Sequence, residues 1–149
     1  MNEKIVLAHV AAEVMAKFAM VSGDIVQADE LESKGSRFVN VEISCGSQGI
    51  LKLGMIADER FVTMLAASSL GVSEADAVTI QNRNDACKEL MNMICGYFIA
   101  AFKKKGFEGA IGLPQILEIN EEKWKELLKK DGIGFLVEGY PVYYYFEKE

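Results

Sequence analysis

Apolar residues recur at three- and four-residue steps from Lys4 to Val21, through Ile5, Ala8, Ala12, Met15 and Ala19, and predict an amphipathic helix. Asn2 stands where an N-cap belongs, and Gly23 lies just beyond the far end. Residues 24 to 36 are polar and turn-like. From Arg37 to Cys45 the pattern becomes alternation, with Val39, Val41, Ile43 and Cys45 on one side, as in a half-buried strand. Gly46-Ser47-Gln48-Gly49 supplies turn chemistry, and the apolar run Ile50 to Ile56 completes an antiparallel hairpin. Asp58 caps a helix that runs to about Leu70 and closes on Gly71.

A loop containing Asp76 and Asn82 leads into the longest helical pattern, Arg83 to Lys105, which Gly106 ends. Gly109 to Glu118 forms a loop and strand around Pro114. Asn120 then caps a short charged helix whose Trp124, Leu127 and Leu128 share a face. Phe135 and Val137, then Val142, Tyr144 and Phe146, alternate on either side of Gly139-Tyr140-Pro141, which predicts a terminal hairpin. Strands in runs, separated by helices, give an α+β fold: an antiparallel β-sheet covered by helices, one of them long.

Composition narrows the function without naming it. The 149 residues are 50% hydrophobic and contain two prolines, and no Pro/Gly/Ser-rich stretch divides them, so residues 1–149 are read as one domain. A formal net charge of -6 argues against a surface built to neutralise nucleic-acid phosphates. Met1-Asn2-Glu3-Lys4 does not open a signal peptide, and no run of about 18 apolar residues occurs, so a cytoplasmic protein without a membrane partner is expected. Three cysteines, two of them in the long helical pattern at Cys87 and Cys95, fit free thiols in a reducing compartment.

The long helix carries the candidate chemistry. Asp85, Glu89, Asn92 and Gly96 follow at steps of four, three and four, so they form one stripe. Ala86, Leu90, Ile94, Tyr97, Phe98 and Ala101 lie opposite and are expected to face the core. Glu89 and Asn92 are thereby turned outward, with Cβ atoms about 5–6 Å apart. Periodicity alone reads such a stripe as a solvated helix face. Yet an interior Asn and an interior Gly both cost helix stability, the Gly by about 1 kcal/mol, and a surface approached closely by another protein would use both.

The string from Asp85 to Asn92 resembles the phosphatase signature of the CheC, CheX and FliY proteins: an acidic residue or Ser, three residues, Glu, two residues, Asn. Gly96 follows the Asn as in that family, and Pro114 stands where its distal proline is found. The resemblance implies a phosphatase acting on the aspartyl phosphate of a CheY-like response regulator. Glu89 and Asn92 would be catalytic, and Asp85, Gly96 and Pro114 would support partner binding. Asn92 would orient the attacking water, and Glu89 would dock onto the regulator's active-site Lys. The protein would bring no cofactor of its own; Mg²⁺ would come with the regulator. CheC-like members often repeat the motif on their first helix, but here Glu13 is followed by Ala16 where Asn is required, so a single CheX-like site is implied. A homodimer is a further implication. A non-catalytic adaptor or sensor on the same fold, binding a regulator or flagellar component, is the alternative, and a small-molecule module would need a pocket.

Other residues read more simply. His9 and Glu13 are four apart, but two ligands do not make a metal site. Lys103-Lys104-Lys105 suits a helix C-terminus. Gly46 to Gly49 lacks the Lys-Ser/Thr of a phosphate-binding loop. Tyr143-Tyr144-Tyr145 is ordinary strand composition, with the prospect of an exposed aromatic edge for self-association.

Overall fold

The computed structural model describes residues 2–32, 37–45, 51–77, 79–101 and 111–148. The first helix, α1, spans Glu3–Ala19, and the Asn2 side chain accepts a hydrogen bond from the Lys4 N–H, so the expected N-cap is present. Its buried face is Val6, Leu7, Val10, Ala11, Val14, Met15 and Ala19. This corrects the face read from spacing: Ile5 is 56% exposed, and Ala12 also faces out. Met20, with φ 54°, takes the left-handed closing position that Gly23 was expected to mark. Gly23 instead begins a strand, β1 (Gly23–Val26), inside the stretch expected to be only turns.

Phe38–Cys45 forms β2 and Leu51–Asp58 forms β3, paired antiparallel from Phe38 opposite Asp58 to Cys45 opposite Leu51. The intervening Gly46 to Gly49 lies outside the described residues. Asp58 caps α2 (Glu59–Leu70) by accepting from the Arg60 N–H, and Gly71 closes it at φ 69°, both as expected. The long helix, α3, spans Ile80–Ala101. It begins earlier than predicted because the Thr79 hydroxyl accepts from the Asn82 N–H, which places Asn82 in the first turn and not in a loop. The predicted stop at Gly106 and the Lys103 to Lys105 run lie outside the described residues.

Gln115–Ile119 forms β4, and Asn120 caps α4 (Glu121–Leu127). The last two strands, β5 (Gly132–Val137) and β6 (Tyr140–Lys148), make the terminal hairpin. Its turn is Glu138-Gly139, both at positive φ, so Tyr140 and Pro141 belong to the strand and not to the turn.

The six strands form one antiparallel sheet in the order β1-β5-β6-β3-β2-β4. Alternation gives the sheet two buried faces. Val41, Ile43, Met55, Leu53, Phe135, Val142 and Tyr144 pack with α1, α2 and α3. Phe38, Ile56, Tyr143 and Tyr145 pack with Trp124 and Leu127 of α4, whose indole ring centre lies 4.7 Å from that of Phe38. Gly54 leaves the space that the Tyr145 ring occupies, since a Cβ there would fall 2.0 Å from Tyr145 Cζ. The Tyr145 hydroxyl then donates to Glu42 at 2.7 Å and accepts from Asn40 Nδ2 at 2.9 Å. Tyr143, Tyr144 and Tyr145 are all buried in an inner strand, so the prospect of an exposed aromatic edge is corrected: β6 has neighbours on both sides.

Candidate functional site

The side of α3 that enters the core carries Ala86, Cys87, Leu90, Met91, Ile94, Cys95 and Phe98. Three of these, Cys87, Met91 and Cys95, widen the face expected from sequence. Tyr97 does not belong to it: the ring is 47% exposed, and the Lys17 ammonium of α1 lies 6.0 Å from its centroid. Burial of these apolar side chains fixes the rotation of the helix, and on a 3.6-residue repeat Asp85, Glu89, Asn92 and Gly96 then point directly away from the sheet.

Asp85, Glu89 and Asn92 are exposed, and Gly96 is half-buried. Asp85 accepts a hydrogen bond from Gln81 Nε2, 2.9 Å away on the preceding turn. Among the described residues, Glu89 and Asn92 have no side-chain partner, so both groups are available to an incoming surface. At Gly96 a Cβ would meet only Ile111 Cδ1, at 4.0 Å, so the backbone there is open on its outer side. The contact from the loop ahead of β4 is thus made by Ile111, and Pro114 stands half-buried immediately before the strand. The family motif marks Pro114, whereas Ile111 and Leu113 belong to no motif; their one signal in the sequence is two large aliphatic residues flanking Gly112.

The base of the helix is tied down by charge. Arg83 of the first turn forms an ion pair with Glu59 of α2, and both are partly buried. Beside it lies a cavity of about 190 Å³ lined by Arg37, Glu59, Arg83, Asn84, Ile116 and Glu118, among others. Its walls include none of Asp85, Glu89, Asn92 and Gly96, so this cavity is separate from the stripe. A carboxylate and a primary amide exposed together on a rigid helix can accept from a cation and can hold a water through the amide's donor and acceptor.

The other candidates do not assemble into sites. His9 is exposed, and Glu13 pairs with Lys17 at 2.6 Å, an interaction that lowers the Glu13 carboxyl pKa through a hydrogen bond and charge. Cys87 is buried and free, and desolvation pushes its thiol up to about 12, so it is protonated at neutral pH and is no nucleophile. Among the described residues, no three His, Cys, Asp or Glu side chains are placed to hold a metal ion, and no helix is long and apolar enough to cross a membrane.

Residues 39–138 match the family model described as chemotaxis phosphatase CheX. The chain belongs to the CheX family. The CheX fold extends over the whole chain: a chemotaxis protein CheX from Desulfovibrio desulfuricans superposes with a TM-score of 0.73 at 18% identity, covering 100% of both chains. CheX from Vibrio vulnificus gives 0.68 at 14% identity over 99% of this chain and 97% of its own. The CheX–CheY–BeF3–Mg²⁺ complex from Borrelia burgdorferi gives 0.70 at 14% identity, over 99% and 98%. No curated protein sequence matches the chain. The matched CheX segment contains the entire stripe and the loop ending at Pro114, whereas α1, where Glu13 and Ala16 stand in place of a second motif, lies ahead of it.

Proposed function

We propose that this protein hydrolyses the aspartyl phosphate of a CheY-like response regulator, with Glu89 and Asn92 as its catalytic residues. The observation that carries the reading is the exposure of this carboxylate and amide, without side-chain partners among the described residues, on the helix of a CheX-family chain opposite its buried face. The Borrelia complex, in which CheX occurs with CheY, BeF3 and Mg²⁺, supports a CheY-type receiver as the partner.

Hydrolysis of an acyl phosphate requires a water held in line with the departing carboxylate oxygen and stabilisation of the charge that spreads over the phosphoryl oxygens. The regulator supplies the phosphorylated Asp, the Lys and the Mg²⁺, and this chain supplies the alignment. Asn92 enters the regulator's site and orients the water through its amide, without taking a proton from it. Glu89 accepts from the regulator's Lys and sets the register in which Asn92 enters. Asp85 extends the acidic face, and Gly96 permits close approach of the partner's backbone.

The test compares decay of an acyl-phosphorylated CheY receiver with Mg²⁺ alone, with catalytic amounts of the wild type, and with Asn92→Ala. Wild type should accelerate decay, and Asn92→Ala should lose on the order of 10²-fold in rate with little loss of binding. Equal rates for wild type and Asn92→Ala would sink the catalytic assignment. Binding without acceleration would make the chain a non-catalytic adaptor.

A further inference from the structure

Leu113 is 88% exposed, and Ile111 is 42% exposed. Full exposure of a leucine is unremarkable by itself. Its position is not: the loop that bears it is held in place and lies against the catalytic stripe. The Gly112 N–H donates to the Ser44 carbonyl at the end of β2 at 2.7 Å, and a Cβ on Gly112 would lie 2.9 Å from that oxygen. Only glycine allows this approach, so the backbone at 112 is clamped to the sheet while its two aliphatic neighbours remain outside. On one side of the clamp, Ile111 Cδ1 reaches to 4.0 Å of the Gly96 Cβ position.

We infer that Ile111 and Leu113 form an apolar anchor for the same receiver domain, adding affinity beside the Glu89 contact while Asn92 sets the chemistry; this rests on the functional reading above. The patch is continuous with the Glu89–Asn92 face. Gly96 lies one turn, about 6 Å, from Asn92, and Leu113 lies within about 7 Å of Ile111 along the chain. A standard interface buries about 800 Å² per partner, a disc of roughly 16 Å radius. A receiver footprint of that size centred on Gly96 spans both Asn92 and Leu113. The two parts are complementary in kind: Asp85 and Glu89 attract the cation of a phosphoryl site, and the aliphatic pair requires an apolar rim beside it. The arrangement of a desolvated apolar contact next to a charged one is that of an energetic anchor with a steering rim.

The experiment measures two quantities separately. Affinity is read as the Kd for a CheY receiver domain loaded with beryllofluoride and Mg²⁺, a state that cannot be hydrolysed. Turnover is read as phosphate release from the phosphorylated receiver at saturation. Leu113→Ser should raise Kd about tenfold and leave the saturated rate unchanged. Leu113→Met should restore the affinity, and Ile25→Asp, on the strand at the opposite edge of the sheet, should leave both at wild type. Circular dichroism checks that each variant is folded. A Leu113→Ser protein that binds as tightly as wild type overturns the anchor, whatever the turnover. Asn92→Ala turning over at the wild-type rate overturns the catalytic reading and leaves the Kd comparison to judge the anchor by itself.

Discussion

Asn92 is a poor helix former placed mid-helix, and its cost of a few tenths of a kcal/mol is small beside what a water-orienting amide supplies in a transition state. Glu89, one turn before it, has a different task in the proposed mechanism. Its contact with the regulator's Lys exists both before and during reaction, so Glu89→Ala should raise KM as well as lower kcat. Steady-state kinetics showing wild-type KM would contradict the docking role. Cys87 allows an independent check at the same scale. Its thiol, pushed up to about 12 by burial, should resist alkylation at pH 8 in the native protein and react only when the helix opens. Rapid labelling of native Cys87, read by peptide mass spectrometry, would refute its burial.

At the scale of elements, two contacts hold the site's platform. Asp58 is 1% exposed; it caps α2 and takes both Nε and Nη2 of Arg60, at 3.0 and 2.8 Å. Asp58→Ala should cost about 1–2 kcal/mol in a urea titration. Gly54→Ala should cost more, roughly 3 kcal/mol, because a methyl would drive the Tyr145 ring off the sheet and break its bonds to Asn40 and Glu42. A variant with the wild-type denaturation midpoint would disprove that packing. Elements with strong local signals were legible in the sequence: α2 carries both its cap and its closing glycine, and the β2–β3 hairpin carries alternation on its first arm and an apolar run on its second. The edge strand β1 was not, because its four residues pair with β5 more than a hundred positions away and only Ile25 and Val26 are β-formers.

For the whole molecule, the buried tyrosines set a pH limit. Desolvation is the leading cause that raises Tyr143, Tyr144, Tyr145 and Cys87 above their ordinary values. In each case the neutral form is favoured in the folded state, so the contribution to stability is complete below the unfolded-state pKa, near 9 for the thiol, and is lost as pH rises toward the folded value. Unfolding free energy should therefore fall steadily between pH 9 and pH 12, and a flat profile would argue against burial of these groups. The topology also bears on assembly. Because β6 is an inner strand, any pairing of sheets between copies would have to use β1 or β4, the two strands at the ends of the order.

The helix that carries Asp85, Glu89, Asn92 and Gly96 and the outward turn of that stripe follow from local periodicity, because a long run with strong 3.6-residue periodicity has one apolar side and one only. The same stripe, with Pro114, carries the family resemblance that the CheX match supports. Tertiary structure decided the rest. The face of α1 that is buried could not be chosen in advance, since Ile5, Val6, Leu7, Ala8, Val10, Ala11 and Ala12 make it apolar nearly all round, and only packing against the sheet and its neighbours selects Val6, Leu7, Val10 and Ala11. The placement of Tyr143 to Tyr145 at the centre and not the edge depends on strand order, which is a long-range property. So does the clamp between Gly112 and Ser44, residues 68 positions apart, which brings Ile111 beside Gly96 and leaves Leu113 outside. Local periodicity encodes which way a side chain faces on its own element; which elements meet is settled only when distant apolar surfaces are buried together.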